Sequence, residues 1–297
     1  MADLTIEDVG EIKKYLSETC TEVNRWLPGT GWNPAWRSEA RREIDNQERR
    51  ADGNPWGDTP VRTAYAASAV FLFAVLDCLA AMADSIDILT TAYMPNVLGR
   101  AAMEAASQAW WLLQPRIGVR CRVARAVAVR ASSGRNLGKA VRKLDPLAPV
   151  TNYGEDLLTV RTYAAGLGLT LVCNDSTTTC GGETLPSYTA RAEEFERVAI
   201  KTTAAYRIYS AAAHAELYSV MQSWRQAQPG SPSGATLERC PDREAVWAAV
   251  IAAGGCATVT AHRAIALLGM GARLVELVAS ARKVEPLIRR MRLNFGI

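Results

Sequence analysis

The sequence predicts an all-α fold, a multi-helix bundle entered through a helical N-terminal arm, and three observations carry that prediction. Apolar residues make up 49% of the 297 and charged residues 22%, a globular composition able to fill a sizeable core. Alanine is abundant and β-branched runs are few, which favours helix because alanine loses the least entropy on becoming helical. Prolines and glycines fall mainly between the long apolar stretches, where they punctuate helices.

Taken in order, an amphipathic helix spans about Leu4 to Trp26 and ends at Pro28-Gly29. A Trp/Pro segment and a charged helix from Arg37 to Ala51 complete the arm, residues 1–58. The core, 59–297, opens at Thr59-Pro60, an N-cap followed by proline at the first helical position. Its first helix runs from Val61 to about Ile88, and Pro95 breaks the chain before the next, Asn96 to Leu113. A helix from Val119 to Ser132 continues past Gly134 as far as Leu144, and Glu155 to Ala165 is helical. An irregular insertion covers about 145–187, with a short strand at Leu169–Cys173 and a polar loop at Asn174–Gly182. Two long helices close the chain, Tyr188 to Gln226 and Asp242 to Ser280, separated by the loop Pro229–Gly234.

The seven cysteines are scattered singly, with no paired spacing, so neither a disulfide framework nor a zinc site is expected and a reducing cytoplasm fits. Met1 to Val9 is acidic and polar, unlike a secretory leader. Ala64–Leu76 and Ala245–Ala261 read as buried helices rather than membrane spans. The net charge is +4, but from Arg116 to Lys143 there are nine basic residues and no acid. A second basic cluster, Arg282, Lys283, Arg289, Arg290 and Arg292, lies near the end. Either is a solvated helix face or a surface for phosphate.

Ionisable groups inside apolar helices are the informative positions. Arg100 and Glu104 stand four apart on an alanine-rich helix, with Trp111 seven further along the same stripe. Small apolar neighbours point to a partly buried pair, which must be hydrogen-bonded to be tolerated. Tyr206, Ser210, His214 and Tyr218 follow at four-residue spacing, with Arg207 two turns before His214 on nearly the same face. Three consecutive alanines before His214 let a helix or ligand approach closely. Asp77, Asp84 and Asp87 lie at spacings that suit a hard cation, or the polar edge of an amphipathic helix.

Other patterns fall short. Gly134–Ala140 is one residue short of a phosphate loop and lacks its terminal hydroxyl. Asn174-Asp175 with Thr178 and Glu183 misses the terpene-synthase metal spacing by one. There is no Glu-x-x-His pair, and with only two histidines no His-rich metal site is expected. No cofactor is expected.

The run Asn96 to Arg125, with Tyr-Arg-Ile-Tyr-Ser-Ala-Ala-Ala-His at 206–214, resembles a group of helical proteins from high-GC bacterial genomes. Their pattern is Arg-x-x-x-Glu, Trp-Leu-Leu-x-Pro, an Arg-rich helix and a late Ser-x-x-x-His; the resemblance covers about half the chain and brings no activity with it. More distantly, Arg207 and His214, with six residues between them, are similar to the Arg-x(4–6)-His motif of the HEPN superfamily. That resemblance implies metal-independent RNA cleavage at a dimer interface, with His214 transferring the proton and Arg207 clamping phosphate. Ile208 departs from the polar residue that active members often carry after the arginine.

Three functions therefore stand side by side. The first is an HEPN-like ribonuclease or nucleic-acid-binding module using His214, Arg207 and the basic residues Arg120, Arg122 and Arg125. The second is a small-molecule lyase, cyclase or isomerase with a pocket between helices lined by Arg100, Glu104, Trp111, Tyr206 and His214. The third is a helical scaffold or homodimeric interaction protein.

Overall fold

The first helix is set by a reciprocal cap. The Thr5 hydroxyl accepts from the Asp8 N–H at 3.1 Å, and the Asp8 carboxylate accepts from the Thr5 N–H at 3.0 Å. This computed structural model describes residues 4–26, 34–87, 93–144, 157–200, 205–214, 224–226, 237–239 and 243–270. Helix α1 (Ile6–Trp26) buries Ile12, Tyr15, Leu16 and Val23, so the predicted arm contributes to the same apolar core as the later helices. The short α2 (Glu39–Ile44) begins at Ser38, whose side chain accepts from the Arg41 N–H.

The centre of the bundle is α3 (Thr59–Ser85), α4 (Met94–Leu113) and the last described helix, α9 (Arg243–Leu268). Helix α4 packs along α3, against α9, and against α7 (Tyr188–Phe195) and α8 (Ala205–Ala213). Pro60 and Pro95 each sit in the first turn of their helices, where a missing N–H costs nothing. Helices α3 and α9 are each long and apolar enough to cross a membrane. In the fold they place Leu72, Val75, Leu79, Val250 and Ala257 in the core. Helix α9 ends in a Schellman motif: Gly269 adopts φ 71°, the Met270 N–H bonds the Ile265 carbonyl and the Gly269 N–H that of Ala266. Ala35, ahead of α2, donates to the Leu268 carbonyl at 2.8 Å and seats the arm on that helix end.

Helix α5 (Gly118–Leu144) is continuous and is followed by α6 (Leu157–Gly166). Strands β1 (Leu171–Cys173), β2 (Thr178–Cys180) and β3 (Glu183–Thr184) form a small antiparallel sheet packed on α5. Strands β4 (Trp224–Gln226) and β5 (Leu237–Arg239) pair as a separate antiparallel ribbon.

Four elements differ from the sequence reading, the first being the last helix, expected to run to Ser280 but ended at Leu268 by the Gly269 turn. The charged helix expected over Arg37–Ala51 stops at Ile44. From there the Asn46 side chain takes the Glu48 N–H at 2.9 Å, and a turn closes through Arg50 and Asn54. The polar loop 174–182 is instead a hairpin. Asn174 Oδ1 accepts from the Thr177 N–H at 2.8 Å, folding the turn, and Thr178 and Cys180 alternate inward. The single helix expected from Tyr188 to Gln226 is α7, a π-helical turn (Glu196–Ile200), α8 and β4. Buried Glu196 accepts from the Tyr206 N–H at 3.1 Å, so the first turn of α8 is capped from the end of α7. The linker at 229–234, the basic cluster at 282–292 and Tyr218 lie outside the described residues.

Candidate functional site

Two separate sequence features meet where α8 crosses α4. Helical spacing puts Arg100 and Glu104 one turn apart, and Arg100 Nε donates to Glu104 Oε1 at 2.7 Å. The four-residue spacing on α8 puts Tyr206 and His214 on the face that meets this pair. The Tyr206 hydroxyl donates to Glu104 Oε1 at 3.0 Å, and Arg100 Nη1 lies 3.1 Å from His214 Nε2. Because a guanidinium has no acceptor, this contact is a hydrogen bond only with Nε2 accepting. Arg100 also lies over the Tyr206 ring, 5.9 Å from its centroid.

The cluster is half-buried at its ion pair and open at His214. Burial pulls the Arg100 guanidinium down, but the Glu104 carboxylate outweighs that and holds it above its ordinary value. Burial and the Glu104 carboxylate both push the Tyr206 phenol up, so it stays a proton donor. Chemically the arrangement offers a fixed cation for an oxyanion, an imidazole lone pair beside it, and a carboxylate and phenol that set the cation's position. Ser210 is half-buried one turn before His214, and its carbonyl accepts from the His214 N–H.

Arg207 is not part of this cluster. Its exposed guanidinium turns to Glu193 on α7, at 2.9 Å. The basic stretch also lies elsewhere, and its arginines collect acids from distant parts of the chain. Arg122 is fully buried. It grips Glu43 through Nε at 2.7 Å and Nη2 at 2.9 Å, and it donates to the carbonyl of Leu112. The Tyr65 hydroxyl donates to the same Glu43 at 2.5 Å, while Arg122 and Arg263 both reach Glu39. Arg125 bonds Glu183 at 2.7 Å and covers the buried Trp111, 4.8 Å from its ring. Arg120 holds Glu48 and the Gly168 carbonyl. The expectation of an exposed basic face is therefore corrected for Arg122, which contacts only protein. The acids that balance the stretch come from the arm and the β-hairpin, outside the sequence window in which none was seen.

Helix α7 supplies neighbours that the sequence did not single out. The Thr189 side chain faces the Tyr206 hydroxyl. Arg191 is buried (4% exposed), stacks 4.7 Å from the Tyr188 ring and donates to the Pro186 carbonyl, while its Nε has no hydrogen-bond partner among the described residues. The only hint in the sequence was an arginine on the apolar side of a short helix capped by Ser187.

Asp77, Asp84 and Asp87 are all exposed. Among the described residues no three His, Cys, Asp or Glu side chains are grouped to hold a metal. An open cleft of about 500 Å³ lies against α2, lined by Glu39, Arg42, Asp45 and Glu48 among others, away from His214. No family model matches the chain, and no curated protein or solved structure is similar to it.

Proposed function

We propose that the chain is an HEPN-like, metal-independent phosphodiester-cleaving protein acting on RNA, with His214 as the proton-transfer group and Arg100, rather than Arg207, as the phosphate clamp. The observation that carries this reading is the 3.1 Å contact between Arg100 Nη1 and His214 Nε2. Metal independence comes from the HEPN resemblance. In the resting site Arg100 occupies the lone pair that the base needs. A phosphodiester oxygen competes for Nη1, because a charged acceptor binds a guanidinium more strongly than a neutral imidazole does. Substrate arrival thereby frees Nε2. The ribose 2′-hydroxyl then passes its proton to Nε2 as O2′ bonds to phosphorus. The P–O5′ bond breaks, and the leaving oxygen takes a proton from water. Glu104, held by Tyr206, keeps the guanidinium in place through Nε.

Purified protein incubated with labelled single-stranded RNA in excess EDTA tests this directly. The parent is expected to leave 2′,3′-cyclic phosphate ends, His214→Ala none, and Arg207→Met nearly the parental rate. An inactive parent, or an undiminished His214→Ala, refutes it. The HEPN resemblance also carries a homodimer, which sedimentation equilibrium reads independently.

A second reading is favoured by the internal use of the basic stretch. With Arg122 enclosed and Arg120 and Arg125 engaged, there is less cationic track for a long polyanion. The same Arg100, Glu104, Tyr206 and His214 would then serve proton transfer on a small phosphate- or carboxylate-bearing compound. Cleavage that is absent with RNA, alongside phosphate binding that persists, selects this reading.

A further inference from the structure

The unexplained group nearest the site is Arg191. A buried guanidinium is costly unless a carboxylate or several acceptors satisfy it. Arg191 is 96% removed from solvent, yet among the described residues it has one hydrogen-bond acceptor, the Pro186 carbonyl, and the face of Tyr188. Its Nε–H is buried and has no hydrogen-bond partner among the described residues. Helix α7 packs on α4, and Thr189, two residues before Arg191, faces the Tyr206 hydroxyl that touches Glu104. Burial pulls the Arg191 guanidinium down, while Tyr188, Glu104 and Tyr206 are near enough to oppose that electrostatically.

We propose that Arg191 and Arg100 are the inner and outer halves of one oxyanion subsite between α4 and α7, and that the subsite takes a phosphate group. Glu104 balances one of the two guanidiniums, which leaves one positive charge for the ligand. A phosphodiester carries one negative charge and matches it. Arg191 is thus kept unsatisfied in the empty site, and a phosphate oxygen completes its Nε–H. This deepens the proposed function and rests on the same site, but it concerns binding and does not require turnover.

The test is the rise in melting temperature on adding inorganic phosphate, with Kd from calorimetry, for the parent, Arg191→Met, Arg191→Lys and the outlying control Arg207→Met. Parent and Arg207→Met are expected to be stabilised by phosphate alike. Arg191→Met is expected to melt higher than the parent in phosphate-free buffer and to lose the phosphate response. Arg191→Lys keeps the charge but not the Nε–H, and is expected to weaken phosphate by about tenfold; it stands as the test if the methionine variant does not fold. A parental phosphate response in the Arg191 variants, or none in the parent, overturns the proposal. Displacement of phosphate by a dinucleoside monophosphate assigns the subsite to a nucleic-acid backbone, and displacement by glycerol phosphate alone assigns it to small esters. RNA cleavage without a phosphate response sinks this inference and spares the nuclease reading. A phosphate response without cleavage does the reverse.

Discussion

Arg100 and His214, 114 residues apart in sequence, meet at 3.1 Å through Nη1 and Nε2, and Glu104 fixes the arginine from the other side at 2.7 Å. The catalysis proposed for this pair depends on orientation, so Glu104 is the position at which function and stability separate most cleanly. Glu104→Gln keeps an acceptor for Tyr206 but removes the charge that anchors Arg100. The lost ion pair is partly exposed and costs about 1 kcal/mol or less. RNA cleavage is expected to fall by about tenfold or more, as misplaced catalytic groups do, with the melting temperature almost unchanged. A large drop in melting temperature with no activity to lose identifies a scaffold instead.

Arg122 gives the opposite pattern. Its guanidinium is enclosed with Glu43, Tyr65 and the Leu112 carbonyl. Arg122→Met strands a buried carboxylate, and removing one partner of such a pair costs about 3–5 kcal/mol. The urea midpoint is expected to fall accordingly, and Arg122→Met combined with Glu43→Leu to recover most of the loss. Had Arg122 been a surface phosphate contact, the single variant would leave stability unchanged and weaken only binding.

That contrast shows where the sequence is legible. The helices that carry the site are regular in spacing, so Arg100 and Glu104 pair as one turn of helix allows, and Tyr206 and His214 both reach that pair while Arg207 does not. Their meeting follows from the packing of α8 on α4, which no local pattern encodes. Arg122 misled for a related reason. A window of 28 residues without an acid reads as a basic surface, but Glu43 and Glu183 arrive from 79 and 58 residues away. The π-helical turn was hidden because the bond made there, buried Glu196 accepting from the Tyr206 N–H, is to a helix that starts later. Arg191 was missed because burial, not composition, makes it unusual.

The link between α1 and α9 predicts acid sensitivity. Asp8 is buried and accepts from Thr5, from Arg243 Nε at 2.9 Å and from Trp247 Nε1 at 3.2 Å. Burial pushes its carboxyl up, but the Thr5, Arg243 and Trp247 donors outweigh this and hold it below the usual aspartate value. A folded-state pKa below the unfolded one means that the stabilisation is fully present above the unfolded value. It is lost as pH falls through the folded value. The Glu39 carboxyl, likewise pushed up by burial but held down by the Arg116 N–H and by Arg263 and Arg122, adds to the same limb. Asp8→Asn is expected to lower stability at neutral pH and to flatten its decline between about pH 5 and 2. Parallel curves for the two proteins would contradict the assignment.

Two adjacent glycines in α9 test the same helix–helix contact with opposite signs. A glycine in a helix interior is ordinarily destabilising by about 1 kcal/mol relative to alanine, through backbone entropy. Gly255 has nothing within 4 Å of where a Cβ would stand, so Gly255→Ala is expected to stabilise by up to about that amount. At Gly254 the same methyl would lie 2.7 Å from the Tyr15 ring carbon Cζ, and closer still to its hydroxyl oxygen. Tyr15 is itself buried against α9, so the ring has little room to yield. Gly254→Ala should therefore destabilise by about 1–3 kcal/mol, the usual cost of overpacking. Tyr15→Phe removes the atom that clashes most, so the double variant Tyr15→Phe/Gly254→Ala should lose less than the two single effects added together. Denaturant titration of the four proteins measures this coupling directly. Equal gains from both alanines would mean that α1 does not seat on α9 through Tyr15, and with it would go the route by which the N-terminal helix joins the core.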